Sequence, residues 1–334
     1  MYYLCSRNQN WNMMNIHNTT TNLCAAKDYV LPPPASHESL LSSLTFHDAC
    51  TNFVYISDKL KVYYPGTFNR LVKLFGEMDI KWDEVKGTKD IWIRDYMPIQ
   101  LSHNKFLTYD YAPDYLQETG DKYRTDSRTI YKDVLPKCFG KHYECIDADI
   151  ILDGGNFVSC GPYRLIADKV FSENYGKGEN MKLFLDKLGR SYFVPLPWSR
   201  DNSQIPNADV YGHADGLVRY CSSRKVLMSN LHVTHPKDAC SIKRRLENIG
   251  FYVVEMKFDV PCQNDDYNWA YINYLHIGTK IIVPTFGIAE DKQALRIISE
   301  VNPDCIVRGF RMRNIADNGG ALHCITWNIY RTNV

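Results

Sequence analysis

One cysteine, one histidine and two aspartates in this 334-residue chain provide the residue types needed to attack a guanidinium carbon. They are Cys324, His213, Asp95 and Asp215. A thiolate nucleophile works with a nearby acid or base, which a histidine supplies. A guanidinium offers five N–H donors in a rigid fork, and two carboxylates can accept them from two sides. We therefore expect these four residues to form one site for a cationic, planar guanidine.

Each of these residues also has an ordinary structural role, so the set carries more weight than any member. His213 and Asp215 are two residues apart, which places both side chains on one face if the segment is a strand. Asp95 precedes Tyr-Met-Pro, and we expect it at a strand end or in a turn. Cys324 follows two glycines at the expected start of the strand ITWNIY (325–330), where glycine lets a substrate come close.

The polar residues cluster in four segments, each of which follows an extended apolar run. Such positions, directly after buried strands, are where α/β proteins place their functional groups. Trp92 offers an aromatic wall for a cation, and Asp153 is expected to be a turn carboxylate. No paired cysteine or histidine ligands stand at metal-binding spacing, so we expect no metal site. The segments are WIRDYMP (92–98), LDGGNF (152–157), GHADGLVRY (212–220) and NGGALHCITW (318–327).

Between these segments the chain repeats one arrangement of an extended run, an amphipathic helix and another extended run. In the first helix Phe68, Leu71 and Phe75 follow the helical spacing, and Gly250 is placed to cap the fourth. Five units of roughly 35 to 50 residues are typical of propellers and other repeat folds. One doubly wound sheet with five crossovers is the alternative, and periodicity alone does not decide between them.

The elements of the five units follow from these patterns. The units begin with the extended runs FVYIS (53–57), KFLTYDY (105–111), RLIADKVF (164–171), KVLMSN (225–230) and KIIVPTFG (280–287). The predicted helices are GTFNRLVKLFGEM (66–78), a looser one around Ile130 and Val134, ENMKLFLDKLG (179–189), KDACSIKRRLENIG (237–250) and AEDKQALRIISEV (289–301).

The composition is that of a folded protein with no excess of charge. Apolar residues make up 45% and charged residues 23%, enough to bury a sizeable core. Lys plus Arg (39) minus Asp plus Glu (38) leaves +1, which argues against a dedicated nucleic-acid binder. No run approaches the roughly 18 apolar residues of a membrane span. We therefore expect no nucleic-acid and no membrane partner.

The N-terminal 35 residues carry little periodic pattern and end in three consecutive prolines, so we expect an extension before the folded part. They also lack the apolar core of a secretory signal. Eleven cysteines, an odd number without a C-x-x-C pair, favour a reducing compartment over a disulfide framework. These features predict a cytoplasmic protein. Length alone favours about two domains.

The four polar segments together resemble those of a known enzyme family. DIWIRDYMP (90–98) is similar to the D-x-W-x-R-D-x-x-P segment of the agmatine deiminase and Porphyromonas-type peptidylarginine deiminase family. LDGGNF resembles its acidic-Gly-Gly segment, GHADGLVRY its G-H-x-D-G-x-x-R-aromatic segment, and NGGALHCIT its terminal G-G-x-x-H-C-x-T segment. All four occur in the family's order across residues 50–330, and the ordered set is far more specific than any one of them.

The resemblance implies an α/β fold of the pentein type. This fold is a β/α propeller of five strand–helix–strand units around a pseudo-fivefold axis. It further implies a single deiminase domain over residues 36–334, against the expectation from length, with residues 1–35 as the N-terminal extension. No metal or organic cofactor is implied.

The family motifs also imply a role for each residue. Cys324 would be the nucleophile and His213 the general acid and then the base, while Asp95 and Asp215 would hold the guanidinium. The reaction would hydrolyse a C–N bond through a thiouronium intermediate on the cysteine and release ammonia. Four further residues are implied in substrate binding: Trp92, Asp90, Asp153 and Asn156.

The substrate is less closely defined than the reaction, because two stretches depart from the agmatine deiminase pattern. These are YDYAPDYLQ (109–117) and Trp327-Asn328. The first is acidic and aromatic, which favours a substrate with an amine tail and hence the conversion of agmatine to N-carbamoylputrescine. The residues concerned are Tyr109, Asp110, Tyr111, Asp114 and Tyr115.

Three alternatives to agmatine deimination stay open. They are a peptidylarginine deiminase that converts arginine to citrulline, an amidinotransferase, and a non-catalytic guanidinium-binding protein. The complete set of thiol, imidazole and two carboxylates is more than a binding protein needs. The expected partner is a small-molecule guanidinium substrate, and assembly into a homo-oligomer is left open.

Overall fold

A computed structural model describes residues 46–116, 122–188, 192–198, 212–222, 224–259 and 270–332. The predicted N-terminal extension, residues 1–35, lies outside the described residues. The described strands form five separate three-stranded sheets instead of one continuous sheet. The doubly wound alternative is therefore wrong, and the fold is α/β with several small sheets.

All five sheets have the same topology. The central strand pairs antiparallel with the first strand of its sheet and parallel with the last. In the order first, central and last, the strands are β15 (Thr326–Ile329), β1 (Phe53–Ser57), β2 (Lys81–Val85); β3 (Ile99–Gln100), β4 (Lys105–Asp110), β5 (Glu144–Ile151); β6 (Val158–Cys160), β7 (Tyr163–Ala167), β8 (Phe193–Leu196); β9 (Val218–Ser222), β10 (Lys225–Met228), β11 (Tyr252–Glu255); β12 (Leu275–Ile277), β13 (Lys280–Thr285), β14 (Ile306–Arg311).

Helices connect the central strand of each sheet to the parallel last strand, as parallel pairing requires. Short helices follow β2 and β14 and precede β9. In chain order the helices are α1 (Asp58–Tyr63), α2 (Pro65–Glu77), α3 (Ile93–Tyr96), α4 (Leu135–Phe139), α5 (Lys169–Glu173), α6 (Gly178–Leu188), α7 (Ala214–Leu217), α8 (Leu231–Thr234), α9 (Pro236–Asn248), α10 (Glu290–Val301) and α11 (Arg313–Ala316), with 3-10 turns at Asp48–Cys50, Ile130–Asp133 and Gly154–Asn156.

The periodic patterns predicted most of these elements. The apolar face of α2 is buried through Phe68, Leu71 and Phe75, and Gly250 ends α9 with a positive φ of 89°. Two expectations were wrong in detail. The run RLIADKVF is a strand only to Ala167, because Lys169 begins α5. The helix expected around Ile130 is a 3-10 turn followed by the short α4. Within the described residues, no helix is both long and apolar enough to cross a membrane.

The polar residues predicted from the sequence lie in four of the five connections that lead into the first strand of a sheet. Such connections leave the last strand of one sheet, where backbone pairing ends and side chains are free to face a ligand. The five described segments are residues 86–98, 152–157, 212–217, 270–274 and 312–325.

The last strand of the chain closes the arrangement by returning to the first sheet. β15 pairs antiparallel with β1, with Trp327 opposite Tyr55 in the register. The Trp327 ring is 2% exposed, and its Nε1–H donates to the carbonyl of Pro98 at 2.8 Å. The tryptophan therefore ties β15 both to β1 and to the connection that carries Asp95.

Replacement of Trp327 tests this closure. We expect Trp327→Ala to lower the free energy of unfolding by about 3 to 5 kcal/mol, because a fully buried ring is lost and a cavity remains. Trp327→Phe keeps most of the ring but loses the hydrogen bond, and should cost about 1 kcal/mol for that bond plus a smaller packing loss. Urea unfolding of both variants measures the difference. Equal stability of Trp327→Ala and wild type would contradict the closing role.

Candidate active site

The structure places the four predicted residues in the connections between sheets. Asp95 lies in the single helical turn α3, and Cys324 lies in the turn just before β15. On a strand, the spacing of His213 and Asp215 would place both side chains on one face. The structure has no strand at these two residues. His213 is the N-cap of the short helix α7 and Asp215 lies within it. The polar side chains still face a common region, because one helical turn places both near the same neighbour.

That common neighbour is Gly155. A Cβ at this position would lie 2.8 Å from Asp95 Oδ1, 3.0 Å from His213 Nδ1 and 3.2 Å from Asp215 Oδ2. Three polar side chains from two connections therefore converge on one point. The backbone N–H of Gly155 donates to Asp95 Oδ1 at 2.9 Å, which holds that carboxylate in place.

Cys324 lies beside Asp215, with 3.9 Å between Sγ and Asp215 Oδ2. The backbone of Cys324 is held through both its N–H and its carbonyl group. The N–H of Cys324 donates to the side chain of Asn273 at 3.2 Å, and its carbonyl accepts the N–H of Arg94 at 3.1 Å. The thiol is thus fixed next to one of the two carboxylates predicted to hold the guanidinium.

Asp215 has a histidine behind it that the sequence reasoning missed. His323 Nδ1 donates to Asp215 Oδ2 at 2.6 Å, and its Nε2 lies 3.6 Å from Asp48 Oδ2. Asp48 in turn forms an ion pair with Arg219. His323 stands next to Cys324 in the sequence, so its position in the terminal motif is the signal that could have identified it.

His213 is held by the carboxylate of Asp153, which was expected to be a turn residue. His213 Nε2 donates to Asp153 Oδ2 at 2.8 Å, while Nδ1 lies 3.8 Å from Asp95 Oδ1. Asp153 is the N-cap of the 3-10 turn at Gly154–Asn156 and is fully buried. Its carboxylate also accepts a bond from Lys169 at 2.7 Å. Lys169 was not identified from the sequence, where it follows a strand without any motif.

Burial gives the catalytic candidates unusual protonation states. Burial alone would lower the pKa of His213, but Asp95 and Asp153 raise it to about 9. Burial raises the pKa of Asp95 to about 7, with Asp153 and Asp215 adding to the shift and His213 opposing it. At neutral pH the imidazole is therefore protonated and Asp95 is close to its midpoint.

The pKa of the thiol and that of its neighbouring carboxylate move in opposite directions. Burial, reinforced by the charges of Asp215 and Asp95, raises the pKa of Cys324 well above its ordinary value. Burial disfavours the Asp215 carboxylate as well, yet the hydrogen bond from His323 keeps the pKa of Asp215 below its ordinary value. The site without a ligand thus contains a neutral thiol beside an anionic carboxylate.

The residues implied in substrate binding occupy different environments. The Trp92 ring lies against the backbone of Gly320, and the Trp92 N–H donates to Asp90 Oδ1 at 2.8 Å. Burial raises the pKa of Asp90 to about 8. Asn156 bonds to the backbone of Ala167 and to the N–H of Ala214, so it positions the start of α7. Contact of these residues with a substrate stays a prediction.

Only part of the acidic and aromatic stretch at 109–115 approaches the site. The Tyr109 hydroxyl donates to the backbone carbonyls of Asp95 and Met97, and Asp110 forms an ion pair with Arg128. The Tyr115 ring, in contrast, lies 6.3 Å from the His213 ring between centroids. The next-door Asp114 reaches Lys169 at 3.8 Å, and the Tyr111 and Tyr115 hydroxyls are 3.4 Å apart.

Among the described residues, no group of three or more histidines, cysteines, aspartates or glutamates is arranged to hold a metal ion. The side chains brought together here are a buried thiol, an imidazolium and buried carboxylates. This combination suits nucleophilic attack on a bound cation.

Comparison with known proteins identifies the family of this chain. The model of the Porphyromonas-type peptidyl-arginine deiminase family matches residues 69–329. The chain belongs to this family. A Listeria monocytogenes protein provisionally named agmatine deiminase 2 is 28% identical over 137 residues, which are 41% of this chain and 36% of that protein. A Marinomonas protein with a similar provisional name is 40% identical over 60 residues, 18% of this chain and 16% of that protein. The chain thus spans well under two thirds of these relatives in the matched alignments.

Solved structures share the fold over most of the chain. The agmatine deiminase of C. jejuni superposes with a TM-score of 0.65 at 19% identity and covers 86% of this chain and 96% of its own. An arginine deiminase of Porphyromonas gingivalis, also provisionally named, gives 0.64 at 18% identity, with 86% and 98% covered. An amidinotransferase of Microseira wollei gives 0.57 at 13% identity, with 87% and 98% covered. The fold is therefore that of the penteins.

Gly155→Ala tests whether the point near Gly155 on which Asp95, His213 and Asp215 converge is the functional site. A methyl group there would displace Asp95, His213 or Asp215, and a misplacement of about 1 Å can cost about 100-fold in activity. We expect kcat/KM on a guanidine substrate to fall by that factor, with a stability loss of about 1 to 3 kcal/mol from overpacking. Gly178→Ala is the matched control, since a Cβ there meets nothing within 4 Å. Unchanged kcat/KM in Gly155→Ala would place the chemistry elsewhere.

Proposed function

We propose that this protein is a deiminase that hydrolyses a C–N bond of a guanidinium substrate and releases ammonia. The observation that carries the proposal is the convergence of Asp95, His213 and Asp215 on one buried point, with the Cys324 thiol beside Asp215. Membership of the deiminase family supports it. Two carboxylates match the charge and the donor geometry of a guanidinium.

Binding of the cation prepares the thiol. Without a ligand, burial and the nearby carboxylates raise the pKa of Cys324 and keep the thiol neutral. A guanidinium held by Asp95 and Asp215 adds a positive charge close to Sγ, which favours the thiolate and the ionised form of Asp95. Cys324 is therefore activated when the substrate is present, and its proton is released on binding.

The chemical steps then follow from the positions of Cys324 and His213. The thiolate attacks the central guanidinium carbon and a C–S bond forms. The imidazolium of His213 gives its proton to the departing nitrogen, the C–N bond breaks, and ammonia leaves. The neutral imidazole next takes a proton from a water that attacks the thiouronium carbon. The C–S bond then breaks, the added hydroxyl gives its proton to the departing sulfur, and a neutral ureido product remains beside a neutral thiol.

Agmatine is the first substrate we propose, with N-carbamoylputrescine as its product. Tyr115 beside His213 offers an aromatic surface, and Asp114 and Glu173 add carboxylates nearby. An aliphatic tail with a terminal amine suits such surroundings. The names of the curated relatives support the same choice.

We further propose that the five sheets are the blades of one propeller around a pseudo-fivefold axis, forming a single domain over residues 36–334. The identical topology of the sheets and the return of β15 to the first sheet support this arrangement. Residues 1–35 are proposed as an extension outside that domain. The cytoplasm is the proposed location, since a reducing compartment suits a cysteine nucleophile.

A substrate panel tests the function. Purified protein is incubated with agmatine, free arginine and a short arginyl peptide, and ammonia and ureido product are measured. We expect turnover of agmatine, and loss of turnover by about four orders of magnitude or more in Cys324→Ala, because the nucleophile is gone. Cys240→Ala, which removes an exposed cysteine, should be unchanged.

Each result of this panel leads to one conclusion. Near-wild-type activity of Cys324→Ala would contradict the assignment of the nucleophile. Turnover of the peptide in place of agmatine would replace agmatine with peptidylarginine as the substrate. No turnover of any of the three, with Cys324 shown to be reduced, would contradict the proposed deiminase activity on these guanidines.

The pH dependence of kcat/KM tests the protonation states. Asp95, with a pKa of about 7, must be ionised, so activity should rise as the pH passes 7. His213, with a pKa of about 9, must be protonated, so activity should fall as the pH passes 9. Rates of ammonia release from about pH 6 to 10 give both limbs of the profile. Asp90→Asn should keep the acidic limb, since Asp90 does not contact the converging groups. A flat profile over this range would contradict the assigned states.

A further inference from the structure

A buried lysine lies against the carboxylate of Asp153. Lys169 is 5% exposed at its side chain and begins α5, directly after β7. Its Nζ lies 2.7 Å from Asp153 Oδ2, 3.1 Å from Glu173 Oε1 and 3.8 Å from Asp114 Oδ1. The ammonium also lies 5.2 Å from the centre of the Tyr115 ring. Three carboxylates and an aromatic face therefore surround one cation.

The contact with Asp153 connects this lysine to the proposed acid. Asp153 Oδ2 accepts from Lys169 Nζ and from His213 Nε2, at 2.7 and 2.8 Å. Asp153 Oδ1 is buried and accepts no hydrogen bond from any described residue. A single carboxylate oxygen thus holds both cations, and Lys169 is the one donor to Asp153 besides His213 among the described side chains.

We propose that Lys169 is a positioning residue that holds Asp153 as an anion and thereby keeps His213 oriented toward the reacting nitrogen. The inference rests on the proposed deiminase function for its kinetic readout. The described ion pairs of Lys169 are with Asp153, Glu173 and Asp114, and its charge also lowers the pKa of His213 directly. We assign it no contact with the substrate itself. The residue belongs to no motif recognised in the sequence.

The electrostatics of the cluster give the lysine this task. Asp153 is buried beside Asp95, and burial alone would raise its pKa, but Lys169 and His213 hold that pKa below its ordinary value. Burial would lower the pKa of Lys169, and Asp153 and Glu173 raise it instead. Glu173, whose pKa burial raises to about 7, adjusts its own charge more readily than Asp153 does. Removal of the lysine therefore leaves Asp153 as a buried carboxylate with only the imidazolium to stabilise it.

The groups facing His213 define what a pH experiment reports. They are Asp95 from α3, Asp153 from the connection after β5, Tyr115 from the stretch after β4, Asp215 from α7, and Lys169, whose charge lowers the pKa of His213 directly as well as acting through Asp153. Without Lys169, the pKa of Asp153 moves upward. Asp153 then takes up a proton at a higher pH than in wild type, and the imidazole loses its anionic partner there.

Kinetics of Lys169→Met and Lys169→Arg test the proposal. We expect kcat of Lys169→Met to fall about 10- to 100-fold, the size of effect that follows loss of an orienting partner, with KM changed by less than about threefold. The acidic limb of the kcat profile should move to higher pH. Lys169→Arg keeps the charge and should recover most of kcat. Lys182→Met, an exposed lysine on α6, is the matched control and should resemble wild type.

A double-mutant cycle separates positioning from general stability. If Lys169 acts through Asp153, then Lys169→Met should have no further effect on kcat in the Asp153→Asn background. An equal loss of kcat in both backgrounds would overturn the proposal. So would a fall in activity of Lys169→Met with an unmoved acidic limb. Thermal unfolding of each variant identifies losses that come from an unfolded fraction.

A measurement without turnover keeps the inference apart from the proposed function. The ring carbons of His213 are followed by NMR against pH in Cys324→Ala, with the resonance assigned by its loss in His213→Gln. We expect the step of Asp95 near pH 7 in both proteins and an additional step, from Asp153, only in Lys169→Met. Identical titrations with and without the lysine would overturn the inference. Absence of turnover in wild type with the new step present would overturn only the deiminase function. If Lys169→Met does not fold, Lys169→Gln provides the same comparison.

Discussion

The burial of three neighbouring carboxylates is the physical constraint on which this site depends. Asp95, Asp153 and Asp215 are all at most 4% exposed. An ionised carboxylate removed from water is costly unless cations or N–H donors take the place of the solvent. Asp153 receives Lys169 and His213, and Asp215 receives His323. Among the described residues, Asp95 receives one hydrogen bond, from the backbone N–H of Gly155, with His213 at ion-pair distance. It is the least compensated of the three, and a bound cation would supply what it lacks.

The repeated topology explains how so many polar groups reach one place. In each sheet a connection leaves the last strand and leads to the first strand of the next sheet. Each described connection contributes one or two residues to the site. What repeats is the backbone topology of the sheets, since the residues that the five connections contribute to the site differ from one connection to the next. The contributions are Asp95, Asp153 with Gly155, His213 with Asp215, Asn273, and His323 with Cys324. A short turn or one-turn helix at each connection brings the side chains inward, without requiring a strand to carry them.

Much of this organisation could be predicted from the sequence because apolar periodicity and local motifs are short-range signals. The helices α2, α9 and α10 follow directly from their apolar spacing, and the choice of Cys324 and His213 as candidates follows from their chemistry. The sequence left open whether His213 and Asp215 lie on a strand, because a spacing of two does not distinguish a strand from the one helical turn that the structure has there. Chain closure by β15 is a long-range contact that no local pattern records.

The residues that were missed share one property: their roles arise only in three dimensions. Lys169 is an ordinary lysine after a strand until Asp153 and Glu173 fold around it. Asn273 acquires its role by accepting the N–H groups of two residues that are fifty positions away. Asn156 uses its amide on the backbone at Ala167 and Ala214, and its contact with a substrate stays a prediction. Motif position identified the right segment for Asn156, and only the hydrogen bonds show what its side chain does there.

Burial and the neighbouring carboxylates also keep the proposed nucleophile, one of eleven cysteines in the chain, in its unreactive thiol form. Burial of the thiol next to the Asp215 carboxylate raises the pKa of Cys324. A neutral thiol is a poor nucleophile and a poor target for oxidation. In the proposed reaction the substrate brings the positive charge that reverses this effect, and the ureido product no longer carries it. The same carboxylates that bind the cation therefore have no hold on the product, and the thiol returns to its neutral state as the product leaves.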